Sequence, residues 1–277
     1  MKTILYCALA LGLTACVTTG GGDAEKSSSG SSGLNVLGAL SSGGSSGSSS
    51  QSNKVGAALD VFKAATVSDD ELKGTALQFR AYEDRTVKVA QPGNRYAKRL
   101  ERLTRKHVNE DGMSLNFKVY MSDDVNANAT PDGSIRFYSG LMDKMTDAEL
   151  LAVIGHEIGH VKLGHAMSGM RTAYLASAGR KAAASASGVA GRLADSELGA
   201  MGEKMFNSQF SQSQETDSDD YGLAFMKKHG YGVKAMEAAF RKLAAQGSQS
   251  GALDQMMSTH PDPGKRADRM RDKAGSM

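Results

Sequence analysis

Leu150-Leu-Ala-Val-Ile-Gly-His-Glu-Ile-Gly-His160 is the stretch on which the reading of this chain turns. Within it His156, Glu157 and His160 stand in the order His-Glu-x-x-His. Residues i and i+4 share one face of a helix, so the two imidazoles can present nitrogens to a single point. Glu157, next to the first histidine, is placed to reach a water at that point. Two histidines and a carboxylate so spaced are the metal-binding and general-base parts of a zinc peptidase site. The motif needs a helix, and the surroundings supply one: Thr146-x-x-Glu149 is a capping box that predicts a helix start at about Asp147. Gly155, Gly159 and Gly164 each cost such a helix up to ~1 kcal/mol relative to Ala. That cost is tolerated where a neighbouring element packs closely.

Zinc needs a third protein ligand. His165 does not fit the spacing His-Glu-x-x-His-x-x-Gly-x-x-His, because Leu163 and Ala166 occupy the places of its glycine and third histidine. Gly164 and His165 are each one residue off, about 100° around a helix. Glu215 is the better candidate, on a second helix able to cross the first. Asp219, four residues on, shares its face, so one carboxylate can bind the metal while the other accepts a hydrogen bond from a ligand imidazole. Asp217 and Asp220 point elsewhere and are expected to be solvated. His260 stands in Thr259-His-Pro-Asp-Pro-Gly264. It is either an extra group at the metal or oxyanion, or a structural histidine in a turn before the last helix. One Zn2+ per chain is expected.

Around the motif, Asn116–Met121 alternates apolar and polar residues as a strand does, Thr130-Pro-Asp-Gly133 is a turn, and Ser134–Tyr138 is a second strand ended by Ser139-Gly140. Ser68-x-x-Glu71 is another capping box. Gln91–Asn94 is a turn, and Arg95–Asn109 reads as a helix with His107 on its surface. Residues 166–202, rich in Ala, Ser and Gly, are either two loosely packed helices or a flap beside the site. Lys227-Lys-His-Gly230 ends a further helix, with His229 in its cap. Val233–Gln246 is the next helix, and a basic one closes the chain. The expectation is an α+β, mainly helical domain with a small β-sheet beside the motif helix.

Composition narrows the alternatives. Of 277 residues only 6% are aromatic and none is Trp, so the core must come mainly from Leu, Val, Ala and the 15 Met. A net charge of +3 without a basic stripe excludes nucleic acid as an expected partner. Cys7 and Cys16 are the only cysteines, which excludes disulfides, Cys-ligated zinc and a Cys nucleophile from the folded body. Lys2 and a short apolar run form a secretory signal over residues 1–15. Leu13-Thr14-Ala15-Cys16 resembles a bacterial lipobox, which implies cleavage before Cys16 and lipidation of its sulfur. Residues 16–53, mostly Gly and Ser, read as a flexible tether, and 54–277 as the peptidase domain. By analogy with sorted lipoproteins, Val17 rather than Asp after the Cys implies the outer membrane, facing the periplasm.

His156-Glu-x-x-His160 followed by Glu215-x-x-x-Asp219 resembles the gluzincins, and more narrowly metallopeptidase family forty-eight, which includes the HtpX and CAAX prenyl protease types. Asn126-Ala127, Gly133–Leu141 and His260-Pro261 with Arg266 are similar to further landmarks of that family. The resemblance spans roughly residues 55–273. It implies a zincin-like fold and a zinc endopeptidase that takes unfolded or envelope proteins as substrates in quality control. Strand addition to Ile135–Tyr138 or to Asn126, Ala127, Asn128 and Ala129 is the expected way of holding substrate backbone. Gln212, Asp217, Ser218 and Asn128-Ala129 depart from the usual family residues, so cleft details do not transfer. The alternative is a chaperone-like assembly factor for outer-membrane proteins with latent peptidase activity, partnered with the assembly machinery there.

Overall fold

A computed structural model describes residues 66–184, 195–206, 209–246, 256 and 259–276. The signal, Cys16 and the tether lie outside the described residues. No helix among those described is long and apolar enough to cross a membrane.

Helix α1 (Asp69–Thr86) starts where Ser68 and Glu71 cap one another, as expected. Helix α2 (Arg95–Thr104) begins after Asn94, whose side chain accepts from the Tyr96 N–H. It ends five residues earlier than expected. His107 therefore leaves the helix and is fully buried rather than surface-exposed. Three strands follow: β1 (Asn116–Tyr120), β2 (Ala127–Ala129) and β3 (Ser134–Tyr138). The order is β1-β3-β2, with β1 parallel and β2 antiparallel to β3. β3 is buried along its whole length. Ile135 and Phe137 enter the main core, while the Arg136 guanidinium is held by Asp84 and Asn116. Ser139-Gly140 does not simply end the strand: it opens a short helix, α3 (Ser139–Lys144).

Helix α4 (Asp147–Lys162) carries the motif and starts at the expected residue, with Thr146 and Glu149 forming the capping box. Gly164 is not inside it. Its φ of 76° marks the turn beyond the helix end, where a side chain would be strained. Helices α5 (His165–Ala184) and α6 (Asp195–Phe206) occupy the segment read as either two helices or a flap. They are followed by α7 (Gln212–Lys228), α8 (Lys234–Gln246) and α9 (Pro263–Gly275). The main core joins the sheet to α4, α7, α8 and α9 through residues such as Phe137, Leu150, Ile154, Leu223, Phe240 and Met270. A second, smaller cluster packs α1, α5 and α6 together through Leu72, Phe79, Met170 and Met201.

The contact that positions the site is the crossing of α4 and α7. A Cβ on Gly155 would stand 2.7 Å from Phe225 Cδ1, and one on Gly159 3.1 Å from the Ser218 Cα and carbonyl oxygen. The two helices meet where these side chains are missing, which explains glycines in an otherwise apolar helix. Gly159→Val drives methyl groups into the α7 backbone one turn from Glu215. It is expected to lower stability by about 1–3 kcal/mol and to weaken metal binding. Chemical denaturation and metal titration of the variant check both.

Candidate metal centre

Helix α4 turns His156 and His160 toward α7 and Glu157 toward the cavity beside it, and all three are at most 3% exposed. Ser211 and Gln214 form a capping box that fixes the start of α7, so Glu215 falls in its first turn. Residue 260 precedes α9 and reaches back to the same place. His156, His160, Glu215 and His260 each offer one ligand atom, and these atoms lie within 4.8 Å of one another. His160 Nε2 is 3.0 Å from His156 Nε2 and 3.2 Å from Glu215 Oε1. His260 Nδ1 is 2.9 Å from Glu215 Oε1 and 3.3 Å from His156 Nε2. A tetrahedral ion with ligands at about 2.1 Å has edges of about 3.4 Å, close to these separations. The set can hold a metal ion.

Charge gives a second test of fit. Glu157, Glu215 and Asp219 are buried carboxylates, and the Arg266 guanidinium lies among them, bonded to Asp219 at 2.6 and 2.9 Å and 2.5 Å from Glu215 Oε2. The carboxylates outnumber the one guanidinium among them, an excess that a divalent cation would offset. Glu157 Oε1 is buried without a hydrogen-bond partner.

Surrounding groups orient the donors. Asp219 Oδ1 stands 3.0 Å from His156 Nδ1, so the ring proton sits there and Nε2 is left with its lone pair toward the centre. Burial opposes the ionisation of Asp219, but Arg266 and His156 outweigh it and hold it lowered. Burial likewise opposes ionisation of Glu215, yet His260 and Arg266 keep its carboxyl well below the usual range. Desolvation keeps the His160 imidazole well below its ordinary value, against the pull of Glu215. It is therefore neutral and available as a ligand at pH 7. Desolvation also lowers His260, but Glu215 and Glu157 reverse the sign and its pKa is raised. Phe210 stacks on the His160 ring at 3.9 Å.

Of the residues singled out in the sequence, His260 lies within ligand distance of His156, His160 and Glu215. His165 stands outside the set, beside it at the cavity wall: its Nδ1 is 3.3 Å from His160 Nδ1 and 3.1 Å from Ser218 Oγ. Asp217 is exposed as expected, but Asp220 is not simply solvated, since it pairs with Arg269 and with Lys273. Arg266, a family landmark by resemblance, bonds Asp219 and lies beside Glu215, a role with no local signal in the sequence.

A cavity of about 350 Å³ opens beside the set. β2 forms the sheet edge on one side of it, with Asn126, Asn128 and Ala129 in the wall, while Ala127 turns into the core. The N-terminal part of α5 lines the other side, and Glu157 and His260 face in. A second donor group, His107, Glu110 and His229, is also close enough for an ion. There the Lys228 ammonium already sits 2.6 Å from Glu110, and the Tyr231 hydroxyl satisfies His107 Nε2. That cluster is a closed polar pin between the end of α7 and the turn at Glu110–Gly112.

Residues 94–274 match peptidase family M48. Metalloprotease LoiP of Escherichia coli (strain K12) is 42% identical over 220 residues, covering 79% of this chain and 86% of its own length. Metalloprotease YcaL of the same organism is 38% identical over 223 residues, covering 80% and 87%. The beta-barrel assembly-enhancing protease of Yersinia pestis is 28% identical over 187 residues, covering 61% of this chain and 37% of its own. The family expected from the motif and its flanking landmarks is thus borne out, and so is the mainly helical fold with a small sheet. A buried donor set on crossed helices, matched over most of its length to metalloproteases, makes this chain a metallopeptidase that belongs to peptidase family M48.

Proposed function

We propose that the chain is a zinc endopeptidase in which His156, His160 and Glu215 hold the ion and Glu157 is the general base. The observation that carries this is the tetrahedral spacing of the donors beside a buried carboxylate oxygen that has no hydrogen-bond partner. Three nitrogens and a carboxylate suit zinc, and no thiolate is present in the body to favour a softer ion. When bound, zinc supplies a Lewis acid that polarises the peptide carbonyl and makes a coordinated water acidic. The chain's residues do the rest. Glu157 takes the water's proton on its cavity-facing carboxylate and returns it to the leaving amine. Asp219 keeps the His156 proton on Nδ1, and Arg266 holds Asp219 in place. Asn126, Ala127, Asn128 and Ala129, at the sheet edge, receive substrate backbone as an added strand. His260 Nδ1 either completes the donor set or steadies the developing oxyanion.

On this reading the lipid on Cys16 and the Gly/Ser tether anchor the peptidase to the periplasmic face of the outer membrane. It hydrolyses unfolded or envelope proteins there, without a nucleic-acid partner. The similarity to a beta-barrel assembly-enhancing protease supports a second reading, an assembly factor with latent peptidase activity that works with the outer-membrane machinery. Metal analysis and casein digestion of the full chain test the proposal. About one zinc per chain is expected. A chelator should abolish digestion, zinc should restore it, and at a free zinc of about 1,000 times Kd the bound ion should add about 4 kcal/mol of stability. Zinc-loaded protein that leaves casein intact would overturn the enzyme reading and favour the assembly factor.

A further inference from the structure

Asn128 sits in the edge strand with half of its amide unused. It is 9% exposed and lines the cavity. Its Oδ1 accepts from Arg80 Nη2 at 2.5 Å. Arg80, 2% exposed, cannot turn away, because Nε donates to Thr130 Oγ1 at 2.9 Å and Nη1 to Glu83 at 2.6 Å. A guanidinium only donates, so flipping the Asn128 amide would set N–H against N–H. The orientation is therefore fixed by chemistry, with Nδ2 turned away from Arg80. That nitrogen is buried and has no hydrogen-bond partner. The Tyr138 hydroxyl interacts with the Asn128 side chain but stands outside normal hydrogen-bond geometry from Nδ2.

We propose that Asn128 is a specificity-determining residue, whose Nδ2 donates to an uncharged acceptor side chain, a carboxamide or hydroxyl, on the substrate residue flanking the scissile bond. This rests on the peptidase reading above. The rest of the wall agrees with an uncharged guest. Among the described residues no lysine or arginine lines the cavity, while Ser168, Thr172, Gln214 and Thr259 do. A substrate carboxylate would face Glu157 and find no lysine or arginine in the wall. An aliphatic side chain would leave the Asn128 donor dry and unpaired, a penalty that discriminates strongly because the group is already out of water.

The test uses the full zinc-loaded chain and fluorogenic peptides that differ only in the flanking residue: Gln, Leu, Glu or Lys. Wild type should cleave the Gln peptide with a kcat/KM about tenfold or more above the Leu peptide. Asn128→Leu should reverse that order. Asn128→Asp keeps an oxygen on Arg80 but puts a carboxylate oxygen where Nδ2 stood, so the Lys peptide should overtake the Gln peptide, whose amide must turn to donate. That variant carries the test if the Leu variant does not fold. Fluorescence anisotropy of the same peptides on the Glu157→Gln protein should give the same order without turnover. Indifference of wild type to Gln and Leu would overturn the proposal, as would a wild-type order in Asn128→Asp. So would Tyr138→Phe shifting selectivity as far as Asn128→Asp does, because the amide would then serve Tyr138. Zinc-loaded wild type that cuts neither peptides nor casein would instead defeat the peptidase reading, and anisotropy would still report on Asn128.

Discussion

Glu157→Gln is expected to lower kcat by about 10²–10⁴-fold while zinc content stays at the wild-type level. The carboxylate is 1% exposed and turned into the cavity, with its Oε1 unpartnered and His260 Nε2 the nearest cationic group at 3.8 Å. Glutamine keeps the shape and two polar ends but cannot accept a proton. The proposed ligands lie on His156, His160 and Glu215, so the ion should stay. Substrate grips the sheet edge rather than Glu157, so KM should change little and the loss should fall on kcat, as for an interaction made in the transition state. Stopped assays on a fluorogenic peptide, paired with metal analysis of the same sample, separate the two effects. If activity survives with zinc bound, the base is another group, and His260 is the one within reach.

The parts of this molecule that sequence discloses are the local ones. The capping boxes at Ser68 and Thr146 involve residues three apart, and the structure places both helix starts where that chemistry requires. Ser211-x-x-Gln214 is the same signal and would have placed Glu215 in a first helical turn. The i and i+4 pairs His156/His160 and Glu215/Asp219 need only helical periodicity to share a face. What escapes is contact between distant segments. His107 reads as a surface residue of α2 because nothing nearby says that Phe225, His229 and Tyr231, more than a hundred residues on, will pack against its ring. His260 lies 104 residues from His156, in a turn rich in proline, and its place at the donor set comes from the packing of α9 on α7 and α8. The pairing of Arg80 with Asn128 spans 48 residues. In each case a polar group is buried because a distant partner satisfies it, and no periodicity encodes that partner.

Arg266→Met should cost the metal-free protein about 3–5 kcal/mol and the zinc-loaded protein measurably less. The guanidinium makes two bonds to Asp219, lies 2.5 Å from Glu215 and stacks 4.1 Å from the Phe240 ring centroid. Methionine replaces the apolar stem and can contact Phe240, so the loss falls mainly on charge. Without arginine or metal, Glu215 and Asp219 are buried anions with only histidines beside them, and a proton on His260 compensates one of the two in part. A divalent ion held by His156, His160 and Glu215 returns positive charge to the side of the pair that Glu215 occupies. It does less for Asp219, which sits behind His156. The penalty should therefore shrink on adding zinc without vanishing, and by linkage the variant should gain more stability from zinc than wild type does. Denaturant titrations of both proteins, with chelator and with excess zinc, measure the four free energies required. Equal penalties in the two states would mean that Arg266 acts through packing on Phe240 alone. Arg266→Lys separates the possibilities again: it keeps the charge but not the paired bonds to Asp219, so its penalty should lie between those of wild type and methionine.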